Sequence, residues 1–273
     1  MPVDPGAYVA PTAKVHPDAL IGPGSRIGEF CVVESDVSIG PNCLLEPYVY
    51  VKRWTTMGSD NEISAGAVLG TDPLDKHFKG HRSYLRIGNG NKIREHYTIS
   101  RGTAEDSETI LGDGNYIMTS GHIAHNCVIG SNVVIASCAL IAGYVEIGDQ
   151  AFISGGIGVH QFSKIGRLAM VGGMSRVNKD LPPFFTYMGY QVAARGLNRV
   201  GLRRAGFSRD LIAEIKEAFR LLYRTELSLE AALAEIEIRL QSDAANEVVR
   251  FIRSSKRGIV RRASNDSGDE SED

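Results

Sequence analysis

The sequence has no stretch approaching the roughly twenty consecutive apolar residues that a helix needs to cross a bilayer. Its first residues, Met-Pro-Val-Asp-Pro-Gly, lack the basic region and apolar run of a signal peptide. Both absences predict a soluble, cytoplasmic protein with no membrane span. Charge imbalance is also small, a net of −2 over 273 residues, which argues against general nucleic-acid binding. Cysteine is scarce and unpaired: Cys31, Cys43, Cys127 and Cys138 form no Cys-x-x-Cys motif, so neither a disulfide framework nor a thiolate metal site is indicated. They read as reduced, small core residues.

What the sequence has is a beat of six. From Val9 an aliphatic residue recurs at every sixth place through Val15, Ile21, Ile27, Val33, Ile39, Leu45, Val51, Met57, Ile63 and Leu69. The phase resumes at Ile87, Ile93 and Ile99, and again from Leu111 to Val177. Only Asp75, His81 and Glu105 interrupt it. Neither a helix of period 3.6 nor a plain strand of period 2 produces that spacing. Long internal repetition marks a solenoid, and a hexapeptide repeat marks a parallel β-helix. The place after the aliphatic is often glycine, suited to a corner of positive φ or to close backbone approach. The fifth place is small or β-branched, and Cys31, Cys43 and Cys127 fall there. One long and one small inward residue per hexad would fill a narrow triangular prism.

Two polar interruptions, residues 71–84 and 101–109, read as loops extruded from the wall, where solenoids tend to place their binding face. After Val177 the beat stops at Asp180-Leu181-Pro182-Pro183. Three helical segments are then predicted, capped by Ser208, Ser228 and Asp243, with apolar faces such as Leu211, Ile215, Phe219 and Leu222. The expected division is residues 1–186 for the β-helix, 187–262 for a helical domain and 263–273 for an acidic, disordered tail. The helical part is basic, with fifteen lysines and arginines against nine aspartates and glutamates.

The beat resembles that of hexapeptide acyltransferases, which implies three hexads to a turn, so that residues eighteen apart stack. His125, Gly143 and Gln161 then form one column, Ala124, Ala142 and His160 the next, and Asn126, Tyr144 and Phe162 a third. Ser137, Gly155 and Gly173 form a column without bulk, with room for an apolar chain. Three of the seven histidines, His122, His125 and His160, so converge on one patch.

The repeat resembles that of hexapeptide acyltransferases, whose fold is an all-β left-handed parallel β-helix, here followed by a small α-helical C-terminal domain. The strings His122-Ile-Ala-His125, Ala142-Gly143, His160-Gln161-Phe162 and Gly172-Gly173 are more specific. With Ile99-Ser-Arg101-Gly102-Thr103, Asn198 and Arg203-Arg204-Ala205-Gly206-Phe207-Ser208, they resemble the acyl-[acyl-carrier-protein]–UDP-N-acetylglucosamine O-acyltransferases of lipid A biosynthesis. The similarity runs from about residue 9 to residue 262.

That resemblance implies His125 as general base on the sugar 3-hydroxyl and the Gly143 N–H as oxyanion donor. It implies that His122, His160 and Gln161 position sugar and thioester, and that Asn198 and Arg204, with Arg203, hold the nucleotide. Gly173 would gauge the acyl chain, and Asp75, His77 and Tyr144 would bind substrate. The implied partners are acyl carrier protein and UDP-N-acetylglucosamine, the implied assembly a homotrimer with sites between subunits, and no metal or cofactor is implied. The sequence departs from the family pattern at Leu74 and His77, at Asn126 in place of aspartate, at Tyr144 in place of histidine and at Val200 in place of glutamate. A UDP-sugar with an amine at its 3-position is therefore an alternative acceptor. A zinc enzyme with three histidines between hexapeptide subunits, and a non-catalytic scaffold, are the alternatives of other classes.

Overall fold

The computed structural model describes residues 3–260. Short parallel strands, most of them two residues long, wind into three sheets of 11, 9 and 8 strands that form the walls of a prism. Each strand pairs with the one a full turn later, so that His122 sits against Leu140, Leu140 against Gly158 and Gly158 against Arg176. The hexad aliphatics fill the interior: Ile27, Ile63, Ile117, Ile135 and Ile153 are all fully buried. Burying each such side chain contributes about 1.5–3 kcal/mol, which is how a narrow column holds together without a thick core.

The structure separates the two reasons for glycine that the sequence leaves open. At the second hexad place the reason is close approach: a Cβ on Gly22 would lie 2.7 Å from the Gly40 carbonyl carbon, and one on Gly40 2.6 Å from the Gly58 carbonyl. Positive φ falls two places later, and there most residues are not glycine. Asn126 and Tyr144 have φ of 58° and Phe162 of 66°. Cys138 occupies such a corner and is exposed, unlike the buried Cys31, Cys43 and Cys127, so it is not a core residue as expected. A further feature of the interior is a ladder of buried asparagines, Asn61, Asn91 and Asn115. Each Oδ1 accepts from the backbone N–H one turn on, ending at Val133.

The prism closes with the strand Phe185–Met188, which turns back antiparallel as Ala193–Leu197. That strand spans the expected 186/187 division. Four helices follow among the described residues: α1 (Arg199–Arg204), α2 (Arg209–Tyr223), α3 (Leu229–Arg239) and α4 (Asp243–Ser254). The sequence reading omits α1, which is too short to show a periodic face. Ser208 and Ser228 cap α2 and α3 as expected, but Ser242 rather than Asp243 caps α4 by accepting from the Ala245 N–H. Phe185 packs against Phe219 and Tyr223 at 5.2 and 5.9 Å, and Arg167 pairs with Glu247, tying helices to prism. The expected acidic tail lies outside the described residues.

Candidate active site

His125 is 6% exposed, and its environment determines its tautomer. Its Nδ1 lies 3.1 Å from Asn126 Oδ1. The Thr103 backbone N–H, which can only donate, reaches the same atom at 3.1 Å, so that atom of the amide is the oxygen. An oxygen accepts, so Nδ1 carries the imidazole proton and Nε2 is left with a lone pair. Asn126 is itself fixed by its backbone N–H donating to Thr109 Oγ1 at 2.7 Å. The hydroxyl of Thr103 meets Asn126 Oδ1 at 2.9 Å and the Tyr144 hydroxyl at 3.1 Å. Tyr144 then stands edge-on to the His125 ring at 5.3 Å and stacks on Phe162 at 5.0 Å.

Gly143 lies directly under this ring. A Cβ there would be 2.4 Å from His125 Cε1 and 2.6 Å from Nε2. The Tyr144 N–H and the Gly143 carbonyl are used along the turn column, while the Gly143 N–H has no acceptor among the described residues. His122, His125, Gly143, His160 and Gln161 line one cleft of about 500 Å³, together with Leu74 and Arg176. His122 Nδ1 meets Thr98 Oγ1 at 2.7 Å and its Nε2 has no partner among the described residues. Burial, with a smaller contribution from nearby His125, pushes the His122 imidazole below the ordinary histidine range, which keeps it neutral. His160 is exposed, its Nδ1 3.0 Å from the Gln161 carbonyl oxygen.

Asp75 accepts from the His77 backbone N–H at 2.8 Å and contacts its ring Nδ1 at 3.2 Å. The His77 N–H and ring, with His125 at longer range, hold the Asp75 carboxyl below the usual carboxylate range. His77 thus acts on Asp75, its own side chain being 96% exposed. Gly173 is exposed, at the end of the column from Ser137 through Gly155 that the backbone hydrogen bonds trace.

The family models that match are UDP-N-acetylglucosamine O-acyltransferase domain 2, over residues 180–260, and the bacterial transferase hexapeptide, over residues 108–143. An acyl-[acyl-carrier-protein]–UDP-N-acetylglucosamine O-acyltransferase of Verminephrobacter eiseniae is 43% identical, over 95% of this chain and 99% of its own. The chain belongs to this acyltransferase family. Its relative of the same description in Gloeothece citriformis is 48% identical over 69% of this chain and 68% of its own. The solved UDP-N-acetylglucosamine acyltransferase of Bacteroides fragilis superposes with a TM-score of 0.90 at 37% identity, covering 92% of this chain and 99% of its own. The fold is accordingly the left-handed parallel β-helix of these acyltransferases, with helices at the carboxyl end.

Not every residue expected in the acyltransferase site meets the others within one chain. Asn198 and Arg204 line a second cavity of about 590 Å³ with Val200, Phe152 and Met170. That cavity lies on the 11-stranded sheet, whereas His122 lies on the 9-stranded one. The Asn198 side chain is occupied, accepting from the Gly201 N–H and donating to the Leu168 carbonyl, both at 2.9 Å. Arg203 is exposed and turns back onto the Arg199 carbonyl. Among the described residues no group of three His, Cys, Asp or Glu side chains is placed to hold a metal ion, and no helix is long and apolar enough to cross a membrane.

Two contributions escape the sequence reading, the place of Arg176 and the contact made by Thr103. Arg176 enters the cleft because it stacks in register beyond Leu140 and Gly158, a column that the same spacing of eighteen would have found. Thr103 orients Asn126 from an extruded loop, and no periodicity reports on that contact.

Proposed function

We propose that the chain transfers a 3-hydroxyacyl group from acyl carrier protein to the 3-hydroxyl of UDP-N-acetylglucosamine, the first step of lipid A biosynthesis. The observation that carries the mechanism is His125 held with Nδ1 on Asn126 Oδ1, its ring against Gly143. In this reading Nε2 takes the proton of the sugar 3-hydroxyl as the oxygen attacks the thioester carbonyl carbon. The carbonyl oxygen becomes an oxyanion facing the Gly143 N–H. Collapse of the intermediate breaks the C–S bond, and the imidazolium returns its proton to the departing thiolate. His122, His160, Gln161 and Asp75 hold the sugar and thioester, Tyr144 lines the sugar, and the groove past Gly173 takes the chain. No metal or cofactor takes part.

The two cavities lie on different walls, which supports a homotrimer in which Asn198, Arg203 and Arg204 of one subunit serve the cleft of its neighbour. Arg204 would take the nucleotide phosphates through its forked guanidinium. Arg199, Lys216, Arg220 and Arg224 line a further cavity of about 620 Å³ together with Glu217, which pairs with Arg220, a net basic surface suited to an acidic acyl carrier protein. A donor carried on acyl carrier protein supports the cytoplasm as its location.

Leu74 favours a second acceptor. It is 82% exposed beside the cleft, where family members place glutamine, so an amide that could bond the sugar is missing. The test is transfer from 3-hydroxymyristoyl carrier protein to UDP-N-acetylglucosamine and to its 3-amino analogue, with His125→Ala as control. Transfer to the hydroxyl sugar, abolished in the variant, supports the proposal. Transfer to the amine alone moves the acceptor, and undiminished turnover in His125→Ala removes the base.

A further inference from the structure

Arg101 is the largest fully buried side chain among the described residues and is only 1% exposed, yet the reaction above gives it no task. A buried guanidinium is costly unless its charge and donors are met. Here the charge is met by a carboxylate of the excursion, while Nε has no partner among the described residues. One Nη donates to Asp72 Oδ1 and to the Gly70 carbonyl, and the Cζ lies 5.3 Å from the ring centre of Phe78. The Trp54 ring of the wall is 5.1 Å away. Asp72 and Phe78 bracket the tip of the loop, Leu74 to His77. A single side chain therefore grips both sides of the segment that carries Leu74 into the cleft and Asp75 toward His125.

The backbone around Arg101 serves the same end. Its N–H donates to the Thr71 carbonyl and the Gly102 N–H to the Tyr84 carbonyl, so both roots of the excursion meet this one strand end. Two residues later, Thr103 bonds Asn126 and so the base. Gly102 allows the bend, since a Cβ there would lie 2.5 Å from the Ser107 carbonyl oxygen.

We propose that Arg101 is a positioning residue that clamps the 71–84 excursion over the cleft, setting Asp75 for the acceptor sugar in register with His125. This rests on the reading of Asp75 as a sugar-binding residue. An ammonium cannot replace the clamp, because lysine lacks the planar fork that stacks between rings while bonding a carboxylate.

The test compares Arg101→Lys, Asp72→Asn and Asp75→Ala in the full chain, with UDP-N-acetylglucosamine and 3-hydroxymyristoyl carrier protein as substrates. Asp72 is 60% exposed, so its substitution leaves the prism intact. Arg101→Lys is expected to raise KM for the nucleotide sugar roughly tenfold and Asp72→Asn about threefold, with KM for the acyl donor within about twofold of the parent. Trypsin should also cut faster at Lys76 and Lys79 in both variants. Parental KM and parental cleavage rates in both would overturn the clamp, as would an equal rise of both KM values with a lower Tm. Faster cleavage beside an Asp75→Ala variant of parental KM would keep the clamp and sink the assignment of Asp75 to the sugar.

Discussion

The His125 ring rests on Gly143 so closely that one added methyl group would stand 2.4 Å from its Cε1. The φ of Gly143 is not in the left-handed region, so alanine fits the backbone there and the clash is with the ring alone. Gly143→Ala should therefore displace the base while sparing the fold. A fall in kcat of about a hundredfold or more, with Tm changed by only a few degrees, is the expected outcome. Parental kcat would show that the imidazole does not need this seat.

Replacing the base itself should be more severe. General base catalysis contributes about 10²–10⁴-fold, so His125→Ala should lose at least that in kcat. KM for the sugar should change far less, because His122, His160 and Gln161 remain in the cleft. Single-turnover measurements separate this loss from slow product release.

Asn126 orients the base without charge. Asn126→Asp would set a carboxylate against Nδ1 and stabilise the imidazolium. The acidic limb of the pH–rate profile should then move to higher pH. A limb that stays in place while Asn126→Asp retains activity would argue that residue 126 does not contact the base during turnover.

His122 gives a pH dependence of stability. Burial puts its folded pKa below the ordinary value of 6.5, so the unfolded chain takes up the proton first. The stability this group contributes is present above that ordinary value and is lost as pH falls through the folded one. Denaturation midpoints of the parent should drop from pH 7.5 to pH 5.5, and less so in His122→Asn. Equal drops would assign the effect to other groups.

The thiols should divide three to one. Burial pushes Cys31 and Cys43 up and Cys127 up to about 12, whereas Cys138 is exposed at a corner. A thiolate-directed reagent should label Cys138 alone in the folded chain and all four in denaturant. Fast labelling of Cys127 would mean that the prism opens at the catalytic turn.

Most of the wall was legible because a hexad is a physical unit: one long and one small side chain point inward, and stacking repeats them. That regularity also locates His122, His125, Gly143, His160 and Gln161 on one patch from spacing alone, given three hexads to a turn. The same rule failed where contacts leave the wall. Whether glycine served φ or close approach needed the neighbouring turn, and the partner of Asn126 lies on an extruded loop. The separation of Asn198 and Arg204 from His125 was hidden because a linear column does not say which wall faces which. Helix α1 was missed because its six residues are too few for a period.

The prism has two ends, and they are unlike. The carboxyl end is shut by the Phe185–Met188 hairpin and the helices, whereas at the other Val3 bridges Ile21 of one sheet and Tyr8–Val9 and Lys14–Val15 are the first strands of the other two. Unpaired parallel edges invite a second molecule to add on and then a third, the geometry of a fibre. Here each edge is only two residues long and flanked by proline, which has no N–H to donate: Pro5 before Tyr8–Val9, Pro11 between the two strands and Pro17 after Lys14–Val15. An incoming chain would find two short ledges rather than a continuous template. The fold can thus stack turn upon turn within one molecule while end-to-end polymerisation stays disfavoured.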